Sequence, residues 1–160
     1  MSEQQKVNDK KINLNITTPR GVKFVEKADM LIMRCIDGNL GVLPGHAPVT
    51  TALGDGVLRI INNGVEGKLA VFGGIAEIAN NTVNIFSTIA QRLEEIDLER
   101  AKADLEEAKA AIQDIKDETN FKNMRALMYR SLVRIEVSLH MEDVDYFKED
   151  DEDEKDEGAE

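Results

Sequence analysis

Two hydrophobic periods divide the chain near residue 90. Before it, apolar and polar residues alternate in short runs. In "INLNIT", Ile12, Leu14 and Ile16 take one face and Asn13, Asn15 and Thr17 the other, and "TPRG" then turns the chain. "VLRIINNGVEG" and "AEIANNTVNIF" each set an Asn-Asn pair between apolar runs. Asparagine tolerates positive φ, so both read as hairpins. Short strands at regular spacing with turn chemistry between them predict an antiparallel sandwich or barrel. The adjacent Gly73 and Gly74 in "FGGIAEI" predict a bulge or a close backbone approach within a strand.

After residue 90 the step lengthens. Leu98, Ala101, Leu105, Ala108, Ile112 and Ile115 recur every three or four residues, a heptad seam whose alanines let a partner helix come close. "KDETNF" breaks the pattern, with Thr119 or Asn120 expected to cap a second helix. Met124, Met128, Leu132, Ile135 and Leu139 are its expected apolar stripe. The predicted class is α+β: an N-terminal antiparallel β-sandwich, then an antiparallel helical hairpin of about twenty residues per arm, then an acidic tail. The boundaries are 1–11 for a flexible N-terminus, 12–90 for the sandwich, 91–141 for the hairpin and 142–160 for a disordered tail.

Charge sharpens this division. Residues 142–160 carry twelve acids against Lys148 and Lys155, so of the chain's net −11 they hold −10 and the rest holds −1. A nearly neutral body offers no footprint for nucleic acid, and the tail is a self-repelling appendage. "MSEQQKVNDKK" has no apolar core of a signal peptide, and "LAVFGGIAEIA" is too short to span a bilayer, which predicts a cytoplasmic type of protein. The single Cys35, inside "MLIMRCI", reads as a packed core thiol and excludes an internal disulfide or a cysteine-rich zinc site.

Candidate chemistry is sparse. With two histidines, no Cys-His pairing and no phosphate loop, no catalytic residues and no metal ligands are assigned. Two stretches stand out. "GNLGVLPGHAP", residues 38–48, breaks an apolar run with three glycines and two prolines and reads as a stiff loop, neither ordinary strand nor helix. In "IDLERA", Asp97 and Arg100 lie three apart on one helix face, and Arg130 and Arg134 lie four apart on the second arm. Antiparallel pairing brings these arginines to one end of the hairpin, where planar guanidiniums suit phosphate oxygens. The alternative is that Asp97 caps the first arm and the arginines are solvated or paired with Glu94, Glu95 and Glu99.

"GNLGVLPGHAP", then "GDGVLRI", then "FGGIAEI", then "IDLERA" opening a hairpin resembles the epsilon subunit of bacterial F-type ATP synthases, over roughly residues 12–140. The resemblance implies a non-catalytic central-stalk subunit of a proton- or sodium-translocating rotor, on the cytoplasmic face of the bacterial membrane and membrane-associated only through the complex. It implies the gamma subunit and the c-ring as partners, with Asn39, Leu40, Pro44 and His46 at that contact. It also implies that the hairpin can extend toward the catalytic alpha and beta subunits and inhibit ATP hydrolysis. No cofactor is required. ATP is the regulatory ligand implied for the folded hairpin, through Ile96, Asp97, Arg100, Ala101, Arg130 and Arg134. Two departures stand against the pattern: Gln91 takes a place where some members carry an acid, and the acidic tail runs past the usual end. A stand-alone adenine-nucleotide sensor and a helical-hairpin adaptor are the alternative readings.

Overall fold

A computed structural model describes residues 11–153, with side chains to Leu139; residues 1–10 and 154–160, the outer parts of the expected N-terminal segment and tail, lie outside it. The chain divides into two compact units between Glu95 and Ile96, later than the boundary at 90 expected from sequence.

Among the described residues the first unit has eight strands: β1 (Ile12–Thr18), β2 (Gly21–Ala28), β3 (Met30–Cys35), β4 (Gly38–Val42), β5 (Val49–Asn62), β6 (Val65–Ala79), β7 (Thr82–Phe86) and β8 (Ile89–Gln91), then a 3₁₀ turn at Leu93–Glu95. The hydrogen-bonded order is β2-β1-β7-β6-β5-β3-β4, with β8 also on β6. Every pair is antiparallel except β1 with β7, which run parallel. The alternation expected in β1 holds, since Ile12, Leu14 and Ile16 are buried. They join a core with Leu31, Met33, Cys35, Leu58, Val83 and Ile85.

The long hairpin β5–β6 makes the sandwich. One half of β6 pairs with β7 through Ile75–Ala79, the other with β8 through Ala70–Phe72. Between the halves lie Gly73 and Gly74, with φ of +64° and +113°. A Cβ on Gly74 would stand 2.1 Å from the Phe86 carbonyl oxygen, so backbones meet here as the glycine pair predicted. Both Asn turns also form, one through Asn63 and Gly64 and one through Asn80 and Asn81, all with positive φ.

One expectation fails in this unit. Residues 38–42 of the supposed loop are strand β4, paired along its length with β3. Glycine weakens a strand without forbidding it, and β4 needs only one partner because it ends the sheet. The irregular part is confined to residues 43–48.

The second unit is a helical hairpin of unequal arms, α1 (Leu98–Ile112) and α2 (Glu118–Asp153), packed on each other. Ala101, Leu105 and Ala108 of the predicted seam are buried, while Ile115 falls beyond the helix. On α2 the buried seam is not the expected stripe. Leu132 and Leu139 are 43% and 38% exposed, and Ser131 and Ser138 are buried in their place. Together with half-buried Met124, Met128 and Ile135, the serines keep the three-four step that faces a helix with small residues. Their hydroxyls donate to the carbonyls of Leu127 and Arg134, each at 2.9 Å, so burial leaves no polar atom unpaired. A second buried line, Val133 and Val137, lies nearly opposite at 3.6 residues per turn. The cap also differs from expectation: Asp117, not Thr119 or Asn120, accepts from the Asn120 N–H at 3.0 Å. The α2 backbone continues to Asp153, into the segment expected as a disordered tail.

Candidate functional site

The first candidate surface follows from β4 and the turn after it. Leu40 points inward opposite Met33 and packs against the core, so its place is structural, while Asn39 is exposed opposite Arg34. Pro44 and His46 are half-buried in the turn. The turn is closed by the His46 N–H donating to the Leu43 carbonyl at 3.1 Å. His46 Nδ1 lies 2.7 Å from the Ala47 carbonyl. A carbonyl only accepts, so Nδ1 is the donor in this contact.

The stiffness read from glycine and proline has a further source. Gly45, at φ +84°, donates its N–H to Asn81 Oδ1 at 2.6 Å, tying the turn to the β6–β7 hairpin. Asn81 is held in turn, at positive φ and with its carbonyl accepting from the Asn13 N–H at 2.8 Å. Sequence reading missed this staple because it saw Asn81 only as a turn residue. It also missed Ile36 and Leu43, 68% and 56% exposed at the two ends of β4; apolar residues near Gly38 and Pro44 were the available signal.

The second candidate lies within the hairpin. Asp97 is the N-cap of α1, its Oδ1 accepting from the Arg100 N–H at 3.0 Å and its carbonyl from the Ala101 N–H at 2.9 Å. Ile96 is half-buried just before it, and Ala101 is buried in the seam. At 100° per residue, Arg100 and Asp104 lie on one flank of the α1 seam, and Arg130 and Arg134 on the same flank of the α2 seam. Arg100 Nε donates to Asp104 Oδ1 at 2.9 Å. That bond, with the attraction of the same carboxylate, raises the Arg100 pKa above its ordinary value.

Arg134 moves the other way. Burial lowers its pKa, the neighbouring Arg130 charge lowers it further, and Asp104 opposes both. Arg130 and Arg134 sit in the arc between the two buried lines of α2, which accounts for their partial burial. Asp104, unassigned from sequence, therefore acts on Arg100 of α1 and on Arg134 of α2, which also feels Arg130. Guanidiniums on one flank of the hairpin can hold phosphate oxygens. Among the described residues no three His, Cys, Asp or Glu side chains are placed to hold a metal ion, and no helix is long and apolar enough to cross a membrane.

A β-sandwich closed by a glycine-bent hairpin and followed by a two-helix arm defines the architectural class. Residues 11–93 match the family described as ATP synthase, Delta/Epsilon chain, beta-sandwich domain. The ATP synthase epsilon chain of Desulforamulus reducens is 35% identical over 125 residues, covering 78% of this chain and 95% of that one. That of Pelotomaculum thermopropionicum is 41% identical over 97 residues, 61% of this chain and 72% of that one. A chain in the Euglena gracilis mitochondrial ATP synthase superposes with a TM-score of 0.60 at 28% identity, covering 84% of this chain and 81% of that one. A chain of the Tetrahymena thermophila enzyme gives 0.54 at 18% identity, over 79% and 96%, a likeness of fold. The chain belongs to the delta/epsilon family of ATP synthase subunits, as an epsilon chain.

Proposed function

We propose that this protein is the epsilon subunit of the central stalk of a bacterial F-type ATP synthase. It is non-catalytic, joins the gamma subunit to the c-ring on the cytoplasmic face of the membrane, and associates with the membrane only through the complex. The observation that carries the reading is the family match over the whole sandwich, with the Euglena neighbour drawn from an F1/c-ring assembly. The first unit suits a torque-bearing contact: its exposed edge is a strand and a turn fixed by three backbone constraints, at Gly45, His46 and Asn81. Asn39, Pro44 and His46 form that contact, with Ile36 and Leu43 as its apolar part and Leu40 as its anchor.

The hairpin is the regulatory arm. In its folded form Arg100, Arg130 and Arg134 bind the phosphates of ATP, and half-buried Ile96 offers the base an apolar surface, while Ala101, buried in the seam, lets the arms pack closely. Asp97 positions Arg100 through the helix cap. Extended, the arm reaches the alpha and beta subunits and restrains hydrolysis. If ATP binds only the folded form, a concentration about a hundred times its dissociation constant favours folding by roughly 2.7 kcal/mol, enough to invert a modest population difference.

Affinity purification of the full chain from detergent-solubilised membranes tests the reading. Copurification with the gamma subunit and c-ring is the expected result. A stand-alone nucleotide sensor would bring down no membrane rotor, and an adaptor would bring down soluble clients; either result overturns it.

A further inference from the structure

We propose that Asp104 is a built-in competitor at the arginine group of the hairpin, a carboxylate that holds the place of a nucleotide phosphate and sets the affinity for it. The inference rests on the nucleotide-binding reading of this hairpin and names how that site is regulated.

One arginine of the group already holds an anion. The Asp104 side chain is 24% exposed while Arg100 is 76% exposed, so the carboxylate lies toward the seam and the guanidinium reaches in over it. Oδ1 takes the Arg100 Nε proton at 2.9 Å. A carboxylate offers two oxygens, which is the donor-matching geometry a phosphate would present to the same guanidinium. Asp104 also attracts Arg134 across the hairpin, against the repulsion of Arg130. An ordinary surface pair on one helix would serve only its own helix. This one also acts on a cation of the other arm.

A polyphosphate approaching these arginines must displace the carboxylate or share the cations with it, and it meets like-charge repulsion in both cases. Glu107 and Asp97, the latter committed to the helix cap, act on Arg100 less than Asp104 does. Removing the Asp104 charge alone should therefore tighten anion binding. Asp104→Glu, which restores a carboxylate one methylene farther out, should bind like the parent.

Calorimetric titration of the full chain, Asp104→Asn and Asp104→Glu with ATP and with inorganic tripolyphosphate tests this. Helical circular dichroism reports that each variant is folded. The expected result is about two- to fivefold tighter binding of both ligands by Asp104→Asn, the worth of one exposed ion pair. ATP bound equally well by the parent and Asp104→Asn would overturn the proposal and leave the nucleotide site standing. Weaker binding by Asp104→Asn would overturn it by making Asp104 a positioning residue for Arg100. Tripolyphosphate gained by Asp104→Asn without preference for ATP would uphold the proposal and remove the adenine reading. No binding of either ligand to any of the three would overturn both.

Discussion

At Asn81 one side chain combines two properties that sequence reading treats separately. Its backbone takes φ +56°, which asparagine and glycine share, and its amide oxygen holds the Gly45 N–H, which glycine cannot. Asn81→Gly therefore separates turn from staple. The turn should persist, with a thermal midpoint within a few degrees of the parent, because the lost bond is exposed and worth about 1 kcal/mol. Assembly with the gamma subunit and c-ring should weaken several-fold, and Asn81→Asp, which retains an acceptor, should restore it. Parallel loss after His46→Ala with Pro44→Ala would show that the turn is the contact; loss there but none in Asn81→Gly would free the turn from its staple. A residue whose role depends on a partner far along the chain, as Asn81 does on Gly45, is not legible from local pattern. Cys35 and the Gly73-Gly74 pair were, because burial in an apolar run and close backbone approach are local requirements.

Elements were read best where one period ruled. The alternating β1 and the alanine-spaced α1 match their predictions because each buries a single face. The stripe on α2 was misread at Leu132 and Leu139 because counting apolar residues passes over serine, whereas a close helix pair selects for size. Ser131, fully buried, is the test. Ser131→Leu forces a large side chain into a seam packed for a small one and should cost about 1–3 kcal/mol. Faster tryptic cleavage at Arg130 and Arg134, with residues 12–95 still protected, is the expected readout; unchanged cleavage would place Ser131 outside the helix contact. In the first unit the corresponding element-level tie is a clasp. Lys11 Nζ meets Asp29 Oδ1 at 2.9 Å and the side-chain oxygens of Asn62 and Asn63, and Asp29 Oδ2 accepts the Asn63 N–H. The Lys11 bond, then the Asn63 bond, hold the Asp29 pKa below its ordinary 3.8. A lowered carboxylate pKa adds stability that is complete above the unfolded value and is lost as pH falls through the folded one. The thermal midpoint of Asp29→Asn should therefore fall below the parent's at neutral pH and converge with it under acid, below about pH 3.8. A gap that stays constant across that range would show that the clasp acts without the charge.

For the whole molecule the main asymmetry is electrostatic. Net charge of −10 lies in residues 142–160 and −1 in all that precedes them, and the α2 backbone that carries Lys122, Arg125, Arg130 and Arg134 runs on into this segment as far as Asp153. A helix ending in acids opposes its own dipole, so the segment draws little stability from its helix and acts chiefly through charge. On the proposed reading, the extended arm offers the basic stretch of α2 to an acidic surface of the beta subunit, and the tail follows the same path. Attraction and repulsion then oppose each other at separations within the Debye length, about 8 Å at physiological salt. Deleting residues 148–160 should strengthen inhibition of ATP hydrolysis in the reconstituted enzyme. The gain should shrink as salt rises, because screening weakens the repulsion between like charges. The same deletion should tighten ATP binding to the isolated chain if the tail reaches the arginine group, adding to the effect of Asp104→Asn. Equal inhibition with and without the tail at low salt would make it a solvated end, and weaker inhibition after deletion would reverse the sign assigned to it.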